Sequence, residues 1–194
     1  MKRNLTRIAV ALCALPASGI AMAHTGSHPL TGFVSGLTHP LLGPDHLAAM
    51  LIIGLLAGIG RHKAWMPLTA FLLCMAGGAA AGMMGIAIAG VEAGIATSVL
   101  VLGLLLATMA RLPAPSGLLL VGLVALFHSN AHGSEMPLAA SPALYGLGFL
   151  LSTAALQLAG AGAGRWLRRG RGEWLLRGAG VMAGGFGAWL LLGV

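Results

Sequence analysis

The sequence predicts an all-α membrane protein: a six-transmembrane-helix bundle that follows a cleaved signal peptide. Three observations predict it. Charged residues make up 8% of the chain against 58% hydrophobic residues, whereas roughly a quarter of a soluble domain is charged. Apolar runs recur along the chain at about the 20-residue length needed to cross a ~30 Å hydrocarbon core. The basic residues fall in the short segments between those runs. At 194 residues, the chain has room for one membrane domain and no separate soluble one.

The N-terminus comes first. Lys2, Arg3 and Arg7 form a basic n-region, residues 8–15 a short apolar core, and Pro16 breaks it ahead of Ala21-Met22-Ala23. That is the order of a secretory signal with an A-x-A cleavage site. Residues 1–23 are therefore expected to be removed, leaving a transport domain of residues 24–194 that begins at His24 outside the cytoplasm.

Six apolar segments follow, at residues 30–60, 65–90, 93–110, 116–134, 142–164 and 174–193. If the chain starts outside and crosses six times, Arg61, Lys63, Arg111, Arg165, Arg168, Arg169, Arg171 and Arg177 all fall on one side. The positive-inside rule makes that side cytoplasmic and both termini periplasmic, in a bacterial inner membrane. The net charge of +7 is thus a topology signal, and no nucleic-acid partner is expected; the partners implied are the lipid bilayer and a metal ion. Glu173, among the arginines, is expected to form an ordinary ion pair. Cys13 and Cys74 lie in apolar stretches without a CxxC pair, which predicts neither a disulfide framework nor a thiolate site. Runs such as Gly77-Gly78-Ala79-Ala80-Ala81-Gly82 let helix backbones approach closely in lipid, and the scattered methionines read as packing.

Two constellations carry chemistry. The first is Thr38-His39-Pro40-Leu41-Leu42-Gly43-Pro44-Asp45-His46. An ionisable group in an apolar span costs about 2.5–3.5 kcal/mol on insertion scales, so three together demand a reason. Two prolines and a glycine predict a broken helix, tolerated at membrane depth where backbone is buried in protein or lines a cavity. The break lets Asp45 turn in as a ligand, or fix the tautomer of His46. The second is Phe127-His128-Ser129-Asn130-Ala131-His132-Gly133-Ser134-Glu135. On a helix His128, His132 and Glu135 share one face, so two imidazoles and a carboxylate converge as in a metal site.

These motifs sit in spans one and four, the first of each three-span half; one starts the descent of span one and the other finishes the ascent of span four. An odd number of spans per half implies 3+3 inverted halves, as in many secondary transporters. Both motifs then lie toward the periplasm, close enough to build one site. Glu92 reads as an extra carboxylate at the entrance or the site, with a turn cap as the plain alternative. His24 and His28 add periplasmic imidazoles, His24 with its α-amine as a chelate if cleavage exposes it; His62 is expected to be solvated. Imidazole with carboxylate suits Ni, Zn, Cu or Fe alike, so the residues say divalent metal and no more. No Walker A pattern is present, so the chain shows no means of using ATP.

The chain resembles the HupE/UreJ family of hydrogenase and urease accessory proteins, a group of nickel permeases. The resemblance rests on His39-Pro40-x-x-Gly43-x-Asp45-His46-x-x-x-Met50 and Phe127-His128-x-x-Ala131-His132-Gly133-x-Glu135-x-Pro137, on the signal followed by His24-Thr25-Gly26, and on the six spans. It implies uptake of Ni²⁺, with Co²⁺ as a second substrate, for hydrogenase or urease maturation. It carries metal-handling roles to His39, Asp45, His46, His128, His132 and Glu135, and to Glu92. It implies a transporter and not an enzyme, with no prosthetic group, and leaves a homo-oligomer open. Two other readings compete: an accessory or sensor subunit that binds metal without translocating it, and a b-type haem protein with His39 and a span-four histidine as axial ligands.

Overall fold

The computed structural model describes residues 29–60, 63–134, 141–169 and 172–193. The regular structure of the described residues is helical: α1 (Pro29–Leu42), α2 (Pro44–Ile59), α3 (Trp65–Met83), α4 (Val91–Thr108), α5 (Ala114–Ser134), α6 (Pro142–Arg169) and α7 (Glu173–Gly193). The signal segment of residues 1–23 lies outside the described residues.

The expected first span is two helices whose axes differ by 80°. Gly43 is extended at φ −90°, ψ 112°, and Pro44 occupies the first turn of α2. The cause is local: a proline disfavours helical backbone at the preceding residue, while its fixed φ and missing N–H suit a helix start. At 16 residues, α2 alone is about 24 Å long, short of a ~30 Å core. Five other helices are each long and apolar enough to cross, and the bent pair completes six. The second span stops at Met83 rather than running to residue 90, because the chain turns through Gly85 and Gly90 at φ 79° and 70°, a region open to glycine at no steric cost.

The spans pack as three pairs. α2 lies along α6, and α3 along α5, each in parallel; α4 lies antiparallel to α7. Missing side chains make the contacts. A Cβ on Gly54 would collide with the Gln157 carbonyl oxygen, and one on Gly103 with the backbone at Gly184. Such close approach drives helix association in lipid, where burial alone gains little. If the halves are exchanged, so that spans one, two and three map onto four, five and six, the pairing of one with five becomes four with two. The pairing of three with six maps onto itself. This is the pattern that inverted halves produce. α1 crosses α6 near its start, with Gly36 against Tyr145.

Outward apolar side chains such as Leu73, Leu158 and Leu192 are exposed, as lipid-facing residues should be. Arg111, Arg168, Arg169 and Arg177 gather at one end, around a cavity of about 670 Å³ that reaches inward to Ile53, Leu102 and Val121. Trp65, Trp166 and Trp174 stand exposed near that end and Trp189 toward the other, the belt positions of amphipathic rings. Glu173 lines the cavity but forms no ion pair among the described residues. The expected pairing gives way to a place in the first turn of α7, where the helix dipole favours a carboxylate. Arg177 instead donates to the Ala107 carbonyl at 3.1 Å.

Candidate metal centre

The four histidines of the two motifs meet at the end of the bundle opposite the arginines. His39 comes from α1, His46 from the first turn of α2, and His128 and His132 from successive turns of α5. Ring centroids lie 4.2 Å apart for His39 and His132, 4.3 Å for His46 and His128, and 4.0 Å for His46 and His132. Each pair meets edge to face. The break at Gly43 makes this possible, since it turns α1 back across α6 while α2 descends beside it. His46, His128 and His132 are buried at 4%, 0% and 6% exposure. Tyr145 and Phe149, one turn apart on α6, wall the cluster, with Phe149 centred 5.0 Å from His132.

Hydrogen bonds fix which ring nitrogen is available. The Asp45 carboxylate lies 3.0 Å from Nδ1 of His46. A carboxylate only accepts, so Nδ1 carries a proton, and Nε2 is the nitrogen whose lone pair a neutral His46 offers. That Nε2 is buried and has no hydrogen-bond partner among the described residues. Ser98 donates its hydroxyl proton to the Ile95 carbonyl at 2.7 Å and stands 2.8 Å from Nε2 of His128. Its proton being committed, Ser98 accepts from Nε2–H, and the buried, unpartnered Nδ1 of His128 keeps its lone pair. Nδ1 of His39 contacts the Tyr145 hydroxyl at 3.0 Å. Neutral imidazoles with oriented lone pairs are the state in which histidine ligates metals. Of the two roles open to Asp45, its contact favours holding His46 over serving as a ligand.

Three expected residues remain. Glu92 stands exposed in the first turn of α4, outside the ring cluster. Glu135 and His24 lie outside the described residues. Among the described residues no three His, Cys, Asp or Glu side chains are already disposed around one ion; the rings themselves occupy the centre. Axial haem ligation by His39 and His132 would need a macrocycle between rings that are in contact.

Sequence reasoning missed four residues. Ser98 is one of many small residues in an apolar span. Tyr145 could have been singled out as the chain's one tyrosine, and Phe149 follows it by one turn. Asn130, part of the second motif but given no role there, holds the turn after α3: Oδ1 accepts from Ile88 N–H at 2.9 Å, and Nδ2 donates to the Ile86 carbonyl at 2.8 Å.

Comparison with known proteins gives two matches. The model of the family described as HupE / UreJ protein matches residues 11–190. Protein HupE of Rhizobium leguminosarum bv. viciae is 40% identical over 158 residues, covering 81% of this chain and 82% of that protein. No solved structure matches.

Proposed function

Because this chain belongs to the HupE/UreJ family, we propose that it is a permease carrying Ni²⁺, with Co²⁺ as a second substrate, from periplasm to cytoplasm for hydrogenase or urease maturation. The observation that carries the reading is the meeting of His39, His46, His128 and His132 from two distant motifs in one buried cluster. Four imidazoles packed together inside a membrane bundle are costly unless they handle something. The protein sits in the inner membrane with its arginine end in the cytoplasm, following the positive-inside rule. The signal segment of residues 1–23 is removed, and both termini are periplasmic.

Ni²⁺ arrives at the periplasmic end, where His24, Glu92 and Glu135 attract it. It exchanges water for the lone pairs of His46 Nε2 and His128 Nδ1, with His39 and His132 completing the donor set as the rings turn out of mutual contact. Asp45 and Ser98 hold the tautomers while this happens. A membrane potential supplies about 2.3 kcal/mol per charge per 100 mV, so a divalent cation gains roughly 4.6 kcal/mol on entry. That corresponds to a concentration ratio above about a thousandfold. Ligation requires unprotonated imidazole, so uptake falls on acidification.

The test is accumulation of labelled Ni²⁺ in proteoliposomes. His46→Ala and Asp45→Ala proteins should lose it, and undiminished accumulation in either would sink the assignment. The same assay separates a permease from an accessory subunit, which would bind Ni²⁺ without passing it to the lumen.

A further inference from the structure

Below the histidine cluster, toward the arginine end, three side chains have no part in the scheme above. Met50 is one turn beyond His46 on α2 and fully buried. On α6, Tyr145, Phe149, Thr153 and Gln157 follow one another at single-turn spacing along one stripe. The parallel register that sets Gln157 beside Gly54 and Ala161 beside Gly58 puts Phe149 level with His46 and Thr153 level with Met50. Gln157 reaches back toward Met50, its Nε2 4.0 Å from the thioether sulfur.

Thr153 and Gln157 are both 0% exposed. Neither Thr153 Oγ1 nor Gln157 Oε1 has a hydrogen-bond partner among the described residues. A threonine in a helix can ordinarily satisfy its hydroxyl on the carbonyl one turn back, as the exposed Thr108 does at 2.7 Å from the Leu104 oxygen; the buried Thr153 does not. Leaving two such acceptors unsatisfied costs about 1–3 kcal/mol each. Valine and leucine would fill the same space without that cost. The cavity that opens to the arginine end reaches Ile53, three residues past Met50. These orphaned oxygens therefore lie between the histidines and the way out.

We propose that Thr153 Oγ1, Gln157 Oε1 and Met50 Sδ form a second, transient station for the divalent cation between the histidine cluster and the arginine-end cavity. The inference rests on the permease reading and extends it. The histidines alone would hold the ion and then face a hydrophobic core that includes Val99 and Val124. An amide oxygen, a hydroxyl and a thioether are neutral donors. They stabilise a divalent cation less than imidazole paired with Asp45, so the ion can step onto them and leave. Favourable but weak successive sites are what conduction requires.

The experiment compares wild type, Thr153→Val, Gln157→Leu, the double variant and Gln157→Glu in proteoliposomes with an inward-negative potential. Ni²⁺ entry is timed, and equilibrium Ni²⁺ binding is measured on the same purified full-length proteins. The double variant should keep its affinity at the histidines within about twofold while entry slows about tenfold or more, the scale set by losing polar contacts to a charged group. Gln157→Glu, which keeps a carbonyl donor, should retain entry. Entry by a folded double variant within about twofold of wild type would overturn the station and leave the permease reading intact. If the double variant fails to fold, Thr153→Val decides, since it exchanges a hydroxyl for a methyl at constant shape: about threefold slower entry supports the station and an unchanged rate overturns it. Wild-type protein that binds Ni²⁺ without admitting it overturns the permease reading and the station together.

Discussion

Ser98 carries one side-chain proton, and two neighbours lie within reach of it. The Ile95 carbonyl can only accept, so His128 must donate, and a serine in an apolar span thereby decides which imidazole nitrogen faces the cluster. Asp45 does the same for His46 through a charge-assisted contact. Replacing such partners typically weakens metal affinity by about 10–100-fold. Ser98→Ala and Asp45→Asn should each lower equilibrium Ni²⁺ affinity by that order with the fold retained, as measured by dialysis against labelled metal. The histidines and Asp45 were legible because ionisable residues stand out in apolar spans. Ser98 and Tyr145 were not: their meaning lies in contacts across 30 and 106 residues of chain, which no local pattern records.

Among the helices, the break at Gly43 was legible from Gly43 and Pro44, because proline acts on the backbone before it; Pro40, also expected to break the helix, sits inside α1. The size of the break was not. The 80° turn is set by where α1 finds Gly36 and Gly148 to pack against α6. The end of α3 was misjudged for a related reason. Residues 84–90 are apolar enough to continue a span, but glycines at left-handed φ and the Asn130 clamp turn them aside. Asn130→Ala leaves the Ile88 N–H and Ile86 carbonyl without that partner, and should lower stability in detergent by about 1–3 kcal/mol, read as a lower thermal midpoint. Gly54→Val sets a branched side chain against the Gln157 backbone. It should cost at least as much, since overpacking ordinarily costs about 1–3 kcal/mol and here the obstacle is backbone that cannot rotate away.

For the molecule as a whole, the one-sided placement of basic residues was the clearest signal in the sequence, and the structure gathers Arg111, Arg168, Arg169 and Arg177 around one cavity. On the proposed orientation, which puts that end in the cytoplasm, uptake should depend steeply on potential. Collapsing a 100 mV inward-negative gradient with an ionophore should lower the steady-state Ni²⁺ ratio by about a thousandfold or more, as measured in the same vesicles. The three tightly packed helix pairs touch one another far less than the members of each pair do. His39 and His46 belong to the pair of α2 and α6 with its crossing α1, whereas His128 and His132 belong to the pair of α3 and α5. The cluster straddles the seam. On the proposed permease reading, an ion ligated from both sides is a removable bolt between two bodies that touch sparingly. Ni²⁺ at 100 times its dissociation constant should stabilise the folded protein by about 2.7 kcal/mol, visible as a raised thermal midpoint that a chelator reverses. On that reading, the seam is free to part once the ion moves on.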